Sequence, residues 1–191
     1  KGIFIIGSAP SKQEDLRGEL GSSKLYGIMR KKLSKRGIDI NEDCLYINAL
    51  CCYPGSTEGK QNKHKPIQLD SCRNNVHNLI KKHKPSVVLV LGMPALMSII
   101  GGRVKFKIDS MEKWRGWQIP DQLLNTYICP MWHSDFLFMN NKNDVADLIF
   151  NQDLDNALSF LDKPVKKIDA KKYIKILNKP LEILEVLRNL N

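Results

Sequence analysis

Four residues in this chain have side chains suited to breaking a bond at an anomeric carbon: Glu14, Asp15, Asn48 and His133. A carboxylate orients or activates water. An imidazole donates to a developing anion. An amide reads donors and acceptors on the edge of a base. Together they suit a hydrolysis in which a base departs as an anion. Singly, each has a plainer role: Glu14 and Asp15 solvated on a loop, Asn48 capping a turn, His133 a satisfied loop residue.

The elements that must position them follow from apolar patterning. Ile3 to Ile6 is an unbroken apolar run closed by Gly7, as expected of a strand buried on both faces. Ser8 to Arg17 then reads as a polar loop. Ser22 to Lys35 has helical spacing in Leu25, Ile28, Met29 and Leu33, with Gly37 placed to end it. Cys44 to Leu50 is a second strand, and the Gly-, Lys- and Asn-rich stretch from Gly55 reads as an unpacked loop. Pro66 to His83 is a helix, Val87 to Leu91 a third strand, and Pro94 to Ile100 a short helix. Gly101 to Gln122 reads as irregular, Thr126 to Pro130 as the fourth strand and Asp144 to Leu161 as an amphipathic helix. Helices are expected near Ala170 to Leu177 and Leu181 to Leu190.

Strands alternating with helices imply an α/β fold, three layers α/β/α, with a central four-stranded, mostly parallel sheet. One domain over residues 1–191 is expected, with a core at about 2–162 and a helical tail at about 163–191. In such a sheet ligands bind beyond the carboxyl ends of the strands. The loop after the first strand, Asn48 late in the second, and His133 after the fourth all fall at that rim, which helical and strand periodicity did not require.

Composition bounds the rest. A 42% hydrophobic content is that of a globular chain, and no apolar run reaches membrane-span length. The +10 net charge points to a polyanionic partner, and the cations cluster, as in Arg30-Lys31-Lys32 with Lys35-Arg36. Five cysteines without framework spacing point to a reducing, cytoplasmic or nucleoid-associated setting. The sequence has no P-loop, dinucleotide fingerprint, zinc-deaminase signature or nucleophile elbow. The chain opens at Lys1 directly on a strand, so a preceding segment is expected.

In order along the chain, the sequence resembles the uracil-DNA glycosylase superfamily, especially its family 4 branch. The matching stretches are Gly7-Ser8-Ala9-Pro10-Ser11, Glu14-Asp15 and Gly18, then Tyr46-Ile47-Asn48, Cys51-Cys52-Tyr53-Pro54 and Cys72. Lys84-Pro85 through Gly92, Arg115-Gly116, and His133-Ser134-Asp135-Phe136-Leu137 complete the series. The resemblance implies a monofunctional DNA glycosylase, monomeric and free of the membrane, that flips a uracil or modified pyrimidine out of DNA and cleaves its N-glycosidic bond with water. It implies that His133 stabilises the leaving base and that Glu14 or Asp15 orients water. Gly7, Ser8, Ala9, Pro10, Gly21 and Asn48 would form the base pocket. Arg17, Arg115, Ser134, Phe136 and Leu137 would face DNA, with Phe136 or Leu137 as a wedge. Cys52 and Cys72 match two of four ligands of a 4Fe–4S cluster, whose other two would precede Lys1, so the cluster is expected to be incomplete within this chain.

Two departures bear on the pocket. The acidic residue of the first motif is Ser8, and Leu20-Gly21 stands where relatives carry a stacking Phe. Both changes enlarge the expected site and favour a bulkier pyrimidine, unless Tyr26 or Tyr53 supplies the ring. The competing readings are a catalytically inactive DNA-binding module of the same fold and a hydrolase of free nucleosides or nucleotides.

Overall fold

The computed structural model describes residues 2–57, 60–61, 64–104, 108–133, 136–137, 144–167, 169 and 179–188. In chain order the elements are β1 (Ile3–Gly7), α1 (Lys12–Arg17), α2 (Lys24–Ser34), α3 (Ile40–Asp43), β2 (Cys44–Asn48), β3 (Ser56–Thr57), β4 (Lys60–Gln61), α4 (Pro66–His83), β5 (Val87–Leu91), α5 (Met93–Ile100), β6 (Ile119–Asp121), β7 (Thr126–Met131), α6 (Asp144–Leu158) and α7 (Pro180–Arg188).

The main sheet has the order β2-β1-β5-β7-β6. Its first four strands are parallel, as the apolar runs predict, and their register aligns Ile3 with Cys44 and with Val87. β6 adds a fifth, antiparallel strand on the edge of β7. The sequence reading left this segment irregular, because three residues that include Pro120 carry no strand period. Pro is tolerated on an edge strand, where no ladder bond is lost. Arg103 ties β6 down, with Nη2 2.5 Å from Asp121.

Alternation along the strands makes two cores. Phe4, Ile6, Val88, Val90 and Ile128 face α4 and α5, packing on Leu69, Val76, Ile80, Leu96 and Ile99. Ile3, Ile5, Val87, Leu89, Leu91 and Met131 face α2 and α6, packing on Leu25, Met29, Leu33, Phe150 and Leu154. The result is a three-layer α/β/α arrangement. All five residues of β1 are buried, so truncating Phe4 to Ala is worth about 3–5 kcal/mol of stability. Two ion pairs clip α2 and the turn that follows it to α6: Lys32–Asp147 at 2.6 Å and Arg36–Asp155 at 2.5 Å.

The segment read as a loop after β1 contains the short helix α1. Ser11 caps it, its hydroxyl accepting from the Glu14 N–H while the Glu14 carboxylate accepts from the Ser11 N–H. The Gly- and Lys-rich stretch after Gly55 also pairs, as the antiparallel two-residue strands β3 and β4. The helix expected at 170–177 lies outside the described residues. Among those residues no helix is long and apolar enough to cross a membrane.

Candidate active site

The carboxyl ends of the four parallel strands bring the candidate residues to one rim. Asn48 is the last residue of β2 and pairs in register with Gly7, the last of β1. The pairing continues into the loops, where the Gly7 carbonyl accepts from the Ala49 N–H at 2.9 Å and the Ser8 carbonyl from the Leu50 N–H at 3.1 Å. The Ser8 loop and the Asn48 loop are therefore one hydrogen-bonded unit.

Asn48 is buried and lies directly over Gly7. A Cβ on Gly7 would stand 2.4 Å from Asn48 Oδ1 and 2.6 Å from the Tyr46 hydroxyl. Only glycine leaves room for both. The Tyr46 hydroxyl donates to Asn48 Oδ1 at 3.4 Å. Tyr46 lies two residues before Asn48, on the same side of the strand. That period-two signal was available in the sequence, and the reading of it missed Tyr46. Tyr46 in turn meets Tyr26 edge-on, with centroids 5.2 Å apart. The Tyr26 ring stands 3.4 Å from where a Gly21 Cβ would be, and its hydroxyl bonds Asn41. So a ring does occupy the neighbourhood of Gly21, where Leu20-Gly21 replaces an expected aromatic.

The two carboxylates have different surroundings. Glu14 is buried, and its oxygens accept from three backbone N–H groups: Ser11 at 2.9 Å, Gly21 at 3.0 Å and Ser23 at 3.1 Å. Burial pushes its pKa up, but these donors outweigh burial and hold the carboxyl below its ordinary value. Glu14 thus ties α1 to the start of α2. Asp15 is exposed, and its Oδ1 accepts from the Tyr53 N–H at 3.0 Å. Its Oδ2 has no hydrogen bond among the described residues.

Pro10, Glu14, Asp15 and Asn48 share a cavity of about 280 Å³, whose wall also includes Leu20 and Cys51. Glu19 and Asn75 line it as well, and neither was singled out from sequence. Gly7, Ser8, Ala9, Gly21 and His133 are not in this wall. Arg17 is exposed in the last turn of α1, beside the Gly18–Leu20 stretch of the wall.

His133 follows β7 and packs on the end of β5. Gly92 there has φ +86°, and a Cβ on it would lie 3.1 Å from His133 Cβ. β7 is three strand spacings from β2, about 14 Å between backbones, so His133 and Asn48 flank the rim from opposite sides. The neighbours of His133 are tightly held. Arg115 makes a two-pronged pair with the buried Asp153, at 2.8 Å and 2.6 Å, and its guanidinium lies 4.7 Å over the Trp132 ring. Phe136 packs on the other partner of that stack, 4.5 Å from Trp132, and its N–H donates to the His133 carbonyl at 3.0 Å. Leu137 packs against the core that faces α2 and α6. Arg115, Phe136 and Leu137, read from sequence as DNA-facing, are half-buried here, and Arg115 and Phe136 both pack on Trp132 beside the histidine turn. Ser134 lies outside the described residues.

The cysteines converge in part. Asn75 Nδ2 donates to Cys51 Sγ at 3.5 Å. Burial raises the Cys72 thiol pKa, and Cys51 and Cys52 lie close enough to act on it. Among the described residues no group of three or more His, Cys, Asp or Glu is arranged to hold a metal. The described cysteines therefore do not form a complete cluster site.

A family model described as the uracil DNA glycosylase superfamily matches residues 1–155. The chain belongs to that superfamily. It is 26% identical over 121 residues to the type-4 uracil-DNA glycosylase of Archaeoglobus fulgidus, an alignment covering 59% of this chain and 58% of that protein. The matched segment thus spans little more than half the length of that relative. The low identity marks a divergent, type-4-like member of the superfamily. The family match takes in every candidate residue from Gly7 to Leu137, and it ends within α6.

Proposed function

We propose that the protein is a monofunctional DNA glycosylase that hydrolyses the N-glycosidic bond of a flipped-out uracil or modified pyrimidine. The observation that carries this reading is the placement of Asn48 over Gly7 and His133 over Gly92, on opposite sides of one sheet rim, in a chain of this superfamily.

In this reading the flipped base lies between Asn48 and His133. Asn48 reads its edge, with Tyr46 holding the amide. A water oxygen bonds to C1′ as the bond from C1′ to the base nitrogen breaks. The bonding pair leaves with the base, and His133 donates a hydrogen bond to the anion that forms. The water's proton passes by way of Asp15 and solvent to the base anion, so the products are the free neutral base and an abasic sugar. Asp15, whose Oδ2 accepts no hydrogen bond among the described residues, orients the water. Glu14 shapes the loop and takes no direct part. Cys52 and Cys72 would be two ligands of a cluster that the described residues do not complete, and no step depends on it.

A panel of matched duplexes carrying uracil or 5-substituted pyrimidines, glycosylated ones included, tests the reading. Alkali-labile abasic sites at the position of at least one of these bases are expected. Tight DNA binding with no abasic product on any base would instead favour an inactive binding module, a reading that Ser8 in the first motif and the engaged oxygens of Glu14 support. Release of base from free nucleosides, insensitive to salt, would favour a small-molecule hydrolase.

A further inference from the structure

The cations of α2 and of the two residues after it lie in two settings, with Lys35 near enough to Asp147 to bear on both. Lys32 and Arg36 turn towards α6 and pair with Asp147 and Asp155. Arg30, Lys31 and Lys35 are exposed and line a shallow groove with Gly27 and Ser34, and no Asp or Glu is among the groove's lining residues. Lys31, in the last turn of α2, and Lys35, its C-cap, are like charges four residues apart, which repel. Gly27 adds a second observation. A glycine inside a helix costs about 1 kcal/mol relative to alanine, yet a Cβ at Gly27 would meet nothing within 4 Å. Packing does not explain this glycine. An open floor between cations, over which another backbone can pass closely, does.

We infer that this face of α2 docks the phosphodiester backbone of duplex DNA beside the damaged nucleotide. Exposed Lys and Arg suit sequence-independent phosphate contact. The position also fits. α2 begins one residue after Ser23, whose N–H is held by Glu14 at the rim. Its eleven residues run about 16 Å from there, roughly five base-pair steps. The inference rests on the DNA-acting reading but can be tested without any excision.

The test is binding of undamaged duplexes, one of 8 and one of 24 base pairs (lengths chosen as about two and five times that span or less), across a salt series. The variants are Lys31→Gln/Lys35→Gln and, as an equal-charge control, Lys81→Gln/Lys82→Gln, exposed on α4 across the sheet. All four lysines are exposed, so melting temperatures should match the wild type. The α2 pair should weaken binding of the long duplex about 10-fold at low salt and lower the salt slope by about 2. The control should do neither, and Lys31→Arg/Lys35→Arg should restore binding. Equal losses in both pairs, or none in the α2 pair, would overturn the docking surface. Failure of the wild-type protein to bind either duplex would overturn the DNA reading beneath it.

Discussion

His133 rests on the backbone of Gly92, whose missing Cβ would lie 3.1 Å from that of the histidine. The contact joins the end of β5 to the turn after β7 and sets where the imidazole begins. Gly92 also has φ +86°, a conformation that L residues rarely adopt. Gly92→Ala should therefore lower stability by about 1–2 kcal/mol and displace His133. Chemical denaturation alongside single-turnover excision would show both losses. A variant of wild-type activity would mean that the position of His133 is set elsewhere.

His133→Ala should lower the excision rate about 10²–10³-fold, the usual effect of removing one donor to a developing anion. Affinity for the same duplex should change little, since the side chain acts on the leaving base. Single-turnover rates at saturating enzyme separate the two effects.

Glu14→Gln and Asp15→Asn should fail in different ways. Glu14 accepts three backbone N–H bonds from within the protein, so its replacement should cost about 1–3 kcal/mol of stability. Asp15→Asn should keep the melting temperature and slow excision. The linkage has a definite sign. The folded-state pKa of Glu14 is depressed, so its contribution is present above the unfolded value of about 4.3 and is lost as pH falls through the folded value. The acid limb of the stability curve should flatten in Glu14→Gln. An unchanged limb would remove Glu14 from the loop's support.

Tyr46→Phe removes the hydroxyl that donates to Asn48 Oδ1 and leaves the ring packing intact. Stability should fall by no more than about 1 kcal/mol. The ratio of excision rates between bases that differ at the edge read by the amide should shift. Equal slowing on all bases would argue against a role in reading that edge.

Much of the fold was legible because apolar runs met clear punctuation. Pro66 to His83 and Val87 to Leu91 match α4 and β5 in both bounds, since Pro66 starts one element and Pro85 separates the two. Helix α1 was missed although Ser11-x-x-Glu14 is a capping-box pattern, because the segment carries no apolar stripe to mark a helix. β6 was missed for want of length. At the site, Asn48 and His133 were visible as polar residues at strand ends. The surroundings of Glu14 were not, because its donors come from Gly21 and Ser23, beyond the end of its own helix. Nor was the role of Arg115, whose partner Asp153 lies 38 residues later. Such pairings depend on tertiary position, which periodicity does not encode.

The central claim is that Asn48 and His133 act on one flipped base. A double-mutant cycle of single-turnover excision tests it most directly, using the wild type, Asn48→Ala, His133→Ala and the pair on whichever pyrimidine the wild type excises. Each single variant should be slowed, and the double variant should be slowed less than the product of the two, as expected for groups that share a substrate. Wild-type rates in either single variant, or fully multiplicative losses, would contradict a shared site.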